Sequence, residues 1–528
     1  MRSMKSKIFA LLAIILVVAI VVGYALLSTK TIDIPQSDIL GEDILIEVND
    51  ETIETEIVTS DKETIYLWYT DESLTDYLNL VAVGYGDARD DVRVIPTLVS
   101  GREYLENISK ASVEGENYPD LYITTNDTLE KAHLAGLADV IKVSENKELT
   151  KYFPEVALDA CTYEDEIMAY PFFYECAVLL YNETYFNEWA KAAAEAEIDM
   201  AEGEAAQEQA QEQPPANEDE TRVAVEKEID PEYQEKIEKR AAQLSQESFP
   251  TSIDKLLAFS DTYDAPEQLD GIFKWDVTDI FYNYFFIGDS INAGGKFGDD
   301  PTQIDLYNEA AIRGLSAYQN LNTFFSISTG DIDYEGVLDD FKNGKVLFSI
   351  VTSDAIRTLS DAKANGEMEY DFAFANLPDI MDNTQAKSMS VTDVVAINGY
   401  SIHKDIANDF AAYLCEADGS VLYERAGKMS AMSDVDYGEY NDYMEVFMSE
   451  YVNSSPLPKM LETSNLWVEL EMMFASVWDG ADANKELRLL SEQMKMQITG
   501  EKVSETPIVI EEEVVEEDEI IETDTLDE

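Results

Sequence analysis

Between residues 63 and 135 the apolar positions alternate between two spacings. Thr64-Ile-Tyr-Leu-Trp-Tyr69 is a short run of β-favouring residues, and residues 74–85 then repeat apolar positions at helical spacing. Val92-Arg-Val-Ile-Pro-Thr-Leu98 predicts a second strand and residues 102–112 a helix. Residues 119–127 predict a third strand and 128–135 another helix. Strands alternating with helices in this way predict a parallel, doubly wound α/β sheet. Ligands of such sheets collect beyond the carboxyl ends of the strands. The polar residues at those ends, Asp71 and Glu72, then Asn126 and Asp127, are therefore the first binding candidates. The competing role of such acids is to cap the helix that follows.

A different pattern occupies residues 169–186. Pro171 forbids helix through Tyr170 and favours an extended backbone. Phe172 to Tyr181 is aromatic and branched, bounded by Asn182, and predicts a strand. One carboxylate, Glu175, sits inside this apolar run, where burial without partners is costly. Tyr174 and Glu175 thus form a third candidate strand end. Farther along, residues 279–288 are rich in aromatic rings before the Gly294-Gly295 turn. Residues 309–318 and 334–342 read as amphipathic helices.

Composition and charge change the picture at three places. Arg2, Lys5 and Lys7 precede an uncharged apolar stretch at 8–27, long enough to cross a bilayer. The basic flank predicts that the first seven residues stay in the cytoplasm and the rest is exported. The run exceeds a signal-peptide core, so an uncleaved anchor is expected, followed by a stalk at 28–62. Residues 190–249 are rich in Ala, Glu and Gln and read as an acidic surface insertion, helical or disordered, and 500–528 as a disordered acidic tail. The chain holds 108 Asp and Glu against 36 Lys and Arg, a formal charge of −72. Such a surface repels nucleic acid and anionic headgroups, so no nucleic-acid partner is expected. Three scattered cysteines, Cys161, Cys176 and Cys415, make neither a disulfide framework nor a Cys-based zinc site. The two histidines lie in no catalytic motif, and no nucleophile-elbow, metalloprotease or P-loop pattern occurs. No catalytic residue, metal or cofactor is expected.

Taken in order, the segments resemble the maltose-binding-protein type of extracellular solute-binding proteins, the receptors of ABC sugar importers. The resemblance rests on Tyr170-Pro171, Glu175, Tyr181-Asn182 and Phe186; on Pro119-Asp120 with Gly136-Leu137; and on Pro250-Thr251-Ser252-Ile-Asp254. It continues through Gly344-Lys345, the helix with Ala407, Phe410, Tyr413 and Leu414, Gly427-Lys-Met-Ser-Ala431, and Pro456-Leu-Pro458 before Trp467. It covers roughly residues 63–499 apart from the insertion.

The resemblance implies a two-lobe, periplasmic-binding-protein-like α/β fold (type II), its lobes joined by extended hinge crossings and preceded here by a transmembrane helix. The first lobe is expected at 63–172 with 395–441, the second at 173–394 with 442–499. It implies a binding site holding Asp71, Glu72, Asn126, Asp127, Tyr174 and Glu175, with Tyr282, Tyr284 and Trp467 as stacking rings. Asp354 stands where the family commonly has a sugar-stacking tryptophan, and Thr392-Asp393 where it has two glycines. The first of these departures points to a ligand more polar than maltose. The implied function is capture of a carbohydrate outside the cell by hinge closure and delivery to an ABC permease. The protein is expected to be a membrane-anchored monomer. The alternatives are a receptor of the same fold for a polyamine or another non-sugar solute, which the acids would suit, and a surface scaffold without transport.

Overall fold

A computed structural model of the chain describes residues 62–115, 118–143, 148–212, 231–330, 332–381 and 384–510. From residue 64 onward, apart from 90–92, these form one compact unit. The expected membrane segment at 8–27, nearly all of the stalk and residues 511–528 lie outside the described residues.

The strands that matter below are β1 (Glu63–Tyr69), β2 (Val92–Leu98), β3 (Leu121–Thr125), β4 (Ala169–Cys176), β5 (Val178–Asn182) and β6 (Gly271–Phe273). They continue with β7 (Val346–Val351), β8 (Phe372–Ala375), β9 (Met389–Ile397), β10 (Met429–Ser430) and β11 (Ser455–Pro456). The helices include α1 (Thr75–Ala88), α2 (Tyr104–Glu114), α3 (Leu129–Leu134), α4 (Glu155–Cys161), α5 (Glu183–Glu212), α6 (Pro231–Ser248), α7 (Asn441–Asn453), α8 (Leu466–Trp478) and α9 (Ala483–Thr499).

A seven-stranded sheet runs β10-β4-β9-β3-β1-β2, with β11 beside β9, and a four-stranded sheet runs β8-β5-β7-β6. Each has its own core. Ile108, Tyr122, Cys161, Ala169, Val394 and Ala396 belong to the first. The second is larger, built on Trp275, Phe286, Tyr318, Phe348 and Trp478. A fully buried Val, Ile or Phe among them contributes about 1.5–3 kcal/mol by leaving water. The three cysteines are buried.

The first sheet differs from the parallel one expected. β1 and β3 are parallel, but β9 lies between β3 and β4 and is antiparallel to both. β4 leaves this sheet for the second one through Ala177, and β9 is the return, so it arrives pointing the other way. These crossings also set where the lobes meet. The first sheet runs past residue 172 to Cys176 and takes up β9 from Met389 rather than from 395. The chain passes between the lobes once more through Asn441–Asn453, as the helix α7 rather than an extended segment, and α7 packs on β4 and α4 as well as on β8.

The register between β4 and β9 slips between Asp393 and Val394, which pair with Phe173 and Pro171. Proline cannot donate to the ladder, and an extra residue there kinks the strand and re-aims its neighbours. Beyond the slip, Glu175 pairs with Val391 and Phe173 with Asp393, while Asp393 also faces Thr125 of β3. Because side chains alternate along a strand, Phe173, Glu175, Val391 and Asp393 share one face. Tyr174 and Thr392 share the other.

Two further segments depart from expectation. The insertion is helical where described, and its first helix begins at Glu183 rather than near 190. α5 and α6 pack antiparallel: the Tyr233 hydroxyl donates to Asp199 at 2.8 Å and Arg240 reaches Glu197 at 2.6 Å. A small core of Ala190, Ala194, Tyr233, Ile237 and Leu244 lies between them. Residues 501–510 were assigned to a disordered tail, yet they are held against the second core. The Ile508 amide donates to the Tyr307 hydroxyl at 2.8 Å, and Lys495 pairs with Glu505. Ile508 and Ile510 pack on that core, and this apolar burial is what the acidic composition concealed.

Candidate functional site

The end of β1 turns into Asp71, whose carboxylate accepts the Ser73 amide and so caps the short turn Glu72–Leu74 ahead of α1. The same carboxylate meets the Lys428 ammonium at 2.9 Å. Lys428 follows Gly427, whose left-handed φ of 71° ends the preceding helix and starts the chain into β10. The ammonium lies 5.4 Å from the centre of the Phe173 ring, a cation–π distance. Residues from β1, β4 and the loop before β10 therefore meet at one point.

Around that ammonium the carboxylates gather. Glu175 is exposed to solvent, yet enough protein surrounds it that burial raises its carboxyl above the usual range. Lys428 opposes that shift, while Asp354 and Asp71 add to it. High exposure together with strong desolvation marks a residue on the wall of a cleft. Burial pushes the Asp393 carboxyl up to about 8, with Lys428 opposing and Glu175, Asp71 and Asp127 adding. At neutral pH Asp393 is therefore largely protonated and can donate a hydrogen bond. Burial also opposes ionisation of Asp71, but the hydrogen bonds from Ser73 and Lys428 outweigh it and hold that carboxyl low. Burial would lower the Lys428 ammonium, and its acidic neighbours, Asp71 first, raise it instead. Asp127 is raised by burial, against a hydrogen bond from Thr125 and the charge of Lys459.

The second sheet contributes rings and one more acid. Tyr282 and Tyr334 stack face to face, their planes 5° apart and centres 5.2 Å apart. The Tyr334 hydroxyl donates to Asp354 at 2.8 Å, and Thr352 at the end of β7 also donates to Asp354. On the first sheet, Thr70, Tyr104, Thr125 and Asp393 line a cavity of about 340 Å³ at the ends of β1 and β3. A cavity of about 670 Å³ lies on the opposite face of β4, where Tyr174 lines it.

The structure thus brings Asp71, Glu175, Asp354, Asp393 and Tyr282 together, with Asp127 at the edge. Glu72 is exposed beside Asp71. Four candidates point elsewhere or serve the scaffold. Tyr174 is next to Glu175 and so faces the other way, stacked on Tyr451 at 3.9 Å. Asn126 is fully buried; its amide donates to the Leu457 carbonyl at 2.8 Å and its oxygen accepts the Thr392 amide at 3.1 Å. That pins β11 and β9 to β3. Tyr284 is buried in the second core, and Trp467 packs its edge on the Tyr284 ring at 6.0 Å. Lys428, Phe173, Tyr334 and Thr352 belong to the site and were not singled out from sequence. A lone lysine just after a helix-ending glycine and a tyrosine just inside a helix cap were the available signals.

The cluster offers carboxylates as acceptors, one ammonium and one protonated acid as donors, and aromatic faces. It contains no nucleophile–base pair. Residues 87–424 match the profile of the bacterial extracellular solute-binding protein family. Among solved structures, a cyclo/maltodextrin-binding protein complexed with maltotetraose superposes with a TM-score of 0.62 at 18% identity, covering 84% of this chain and 99% of that one. An extracellular solute-binding protein from Staphylococcus aureus in complex with maltose gives 0.62 at 18% identity, covering 82% and 97%. The maltose-binding periplasmic protein of Listeria monocytogenes, also in complex with maltose, gives 0.57 at 18% identity, covering 84% and 100%. At that identity the likeness is one of fold. No curated protein matches the chain. The matched profile spans well over half of the residues and agrees with the two sheets and their crossings: the chain belongs to the bacterial extracellular solute-binding proteins, which bind solutes rather than transform them.

Proposed function

We propose that the chain captures a carbohydrate, an oligosaccharide, between its two sheets by hinge closure and delivers it to an ABC importer, with the N-terminal segment holding it to the membrane. The observation that carries this reading is the mixture at the cleft: Asp71, Glu175 and Asp354 accept hydrogen bonds, Lys428 and protonated Asp393 donate them, and Tyr282 and Tyr334 supply stacked rings. Sugar hydroxyls donate and accept together, and sugar C–H faces pack on aromatic rings, so a saccharide uses every group present. The relatives crystallised with maltose and maltotetraose support it. Closure follows if the ligand binds better when both sheets contact it.

The carboxylate excess favours a second reading, a polyamine receptor, since Asp71, Glu175 and Asp393 all act on one lysine and Asp354 acts on Glu175. Against it, the lysine sits at the centre of the cluster, where a ligand ammonium would be repelled. Calorimetric titration of the full-length protein with maltotetraose, other neutral oligosaccharides and spermidine separates the two. Saturable binding of a neutral oligosaccharide is expected. Binding of spermidine alone would replace the sugar reading, and no response to any of them would remove both.

A further inference from the structure

Behind the cleft, the other face of β4 closes a second cavity of about 670 Å³. That volume is in the range of small-molecule pockets. Four methionines line it, Met429 on β10, Met432 on the following loop, and Met444 and Met448 on α7, with the rings of Tyr174 and Tyr437. Thioethers are polarizable, adapt to irregular shapes and pack favourably on aromatic edges. Tyr174 is 1% exposed, and its hydroxyl has no hydrogen-bond partner among the described residues. A buried donor left unpaired is costly, which points to a partner that arrives with a ligand. The Tyr437 hydroxyl differs, because it accepts the Ser430 amide at 3.1 Å.

The lining also carries charge of one sign. Asp434, Asp436 and Glu445 stand on it, all exposed, and no Lys or Arg is among its lining residues. The Asp436 carboxylate is oriented by the Gly438 amide and the Asn441 side chain, both at 2.9 Å. An apolar, ring-accepting interior under an anionic rim fits one chemical class.

We propose that this cavity is a second ligand site, for a small amphipathic cation with an aromatic body, whose ring lies among the methionines and whose ammonium meets the rim carboxylates. The inference is independent of what the cleft binds. The two sites share β4, with Tyr174 facing one and Glu175 the other.

The test uses the full-length chain labelled at its methionine methyl groups and titrated with tryptamine, read by methyl NMR with assignments from single Met→Leu variants. Saturable shifts at Met429, Met432, Met444 and Met448 are expected, and they persist in Glu175→Ala, which leaves this cavity untouched. Neutral tryptophol should bind several-fold more weakly, and anionic indole-3-acetate more weakly again. Met448→Trp, which fills the cavity from a half-buried position, should abolish the shifts. No saturable shift up to millimolar tryptamine, or shifts confined to other methionines, would overturn the site. Equal affinity for indole-3-acetate would overturn the proposed class.

Discussion

Replacing Asp393 by Asn should stabilise the protein at alkaline pH and leave it nearly unchanged in acid. Burial lifts the folded-state carboxyl from 3.8 to about 8, and Glu175, Asp71 and Asp127 push the same way while Lys428 pulls back. Because the folded pKa is raised, the folded state holds the proton more tightly than the unfolded chain does. The contribution is full below about pH 4, is lost as pH rises from there to about 8, and is flat beyond. Each unit corresponds to about 1.4 kcal/mol, so the whole shift sets a ceiling of about 6 kcal/mol. The residue lines an open cavity and is half-exposed, so water relieves much of that cost. About 2 kcal/mol is the expected gain for Asn at pH 8, falling toward zero near pH 4.5. Urea unfolding of both proteins at pH 4.5, 6.5 and 8 measures it. A variant equally or less stable than wild type at pH 8, or a difference that does not vary with pH, would show that Asp393 is not held neutral by its surroundings.

Other substitutions probe the site and its supports. Glu175→Ala should weaken ligand binding by about 1.5–3 kcal/mol, the value of one charge-assisted hydrogen bond, in a calorimetric titration; unchanged affinity would remove Glu175 from the site. Asn126→Ala leaves the buried Leu457 carbonyl and Thr392 amide without their partner and should cost about 2–4 kcal/mol in urea unfolding. Gly288→Ala would place a methyl 2.1 Å from the Lys387 carbonyl oxygen, and about 3 kcal/mol of destabilisation is expected from the forced backbone shift.

Much of the framework was legible because local pattern and final position agree. β1, β2 and β3 are runs of β-favouring residues, and β1 and β3 end at polar residues, so those ends of the first sheet could be located without coordinates. Glu175 was legible for a different reason: one charge in a run of rings has few places to go but a cleft. Adjacent residues were the weak point. Tyr174 and Glu175 look alike as candidates in a list, but a strand sends neighbours to opposite faces, and only the register says which face is which. Tyr282 and Tyr284 pose the same difficulty on a short helix, where one ring reaches Tyr334 and the other enters the core. Lys428 was hidden by distance, since its partner Asp71 is more than three hundred residues away and a single lysine in a turn has no period. The antiparallel β9 could not be read from composition either, because its direction comes from the route the chain takes between sheets. Residues 501–510 show the converse, with two isoleucines outweighing the acidic surroundings.

The claim on which the functional reading rests is that solute binds where Lys428 meets Asp71, Glu175 and Asp393, with Asp354 acting on Glu175 from the other lobe. A crystal structure grown with the tightest-binding oligosaccharide tests it most directly. Sugar hydroxyls within about 2.7–3.2 Å of Glu175, Asp393 and Lys428, with a sugar ring against Tyr282 or Tyr334, are the predicted result. Sugar bound away from these side chains, or a cleft that stays empty at saturating sugar, would contradict it.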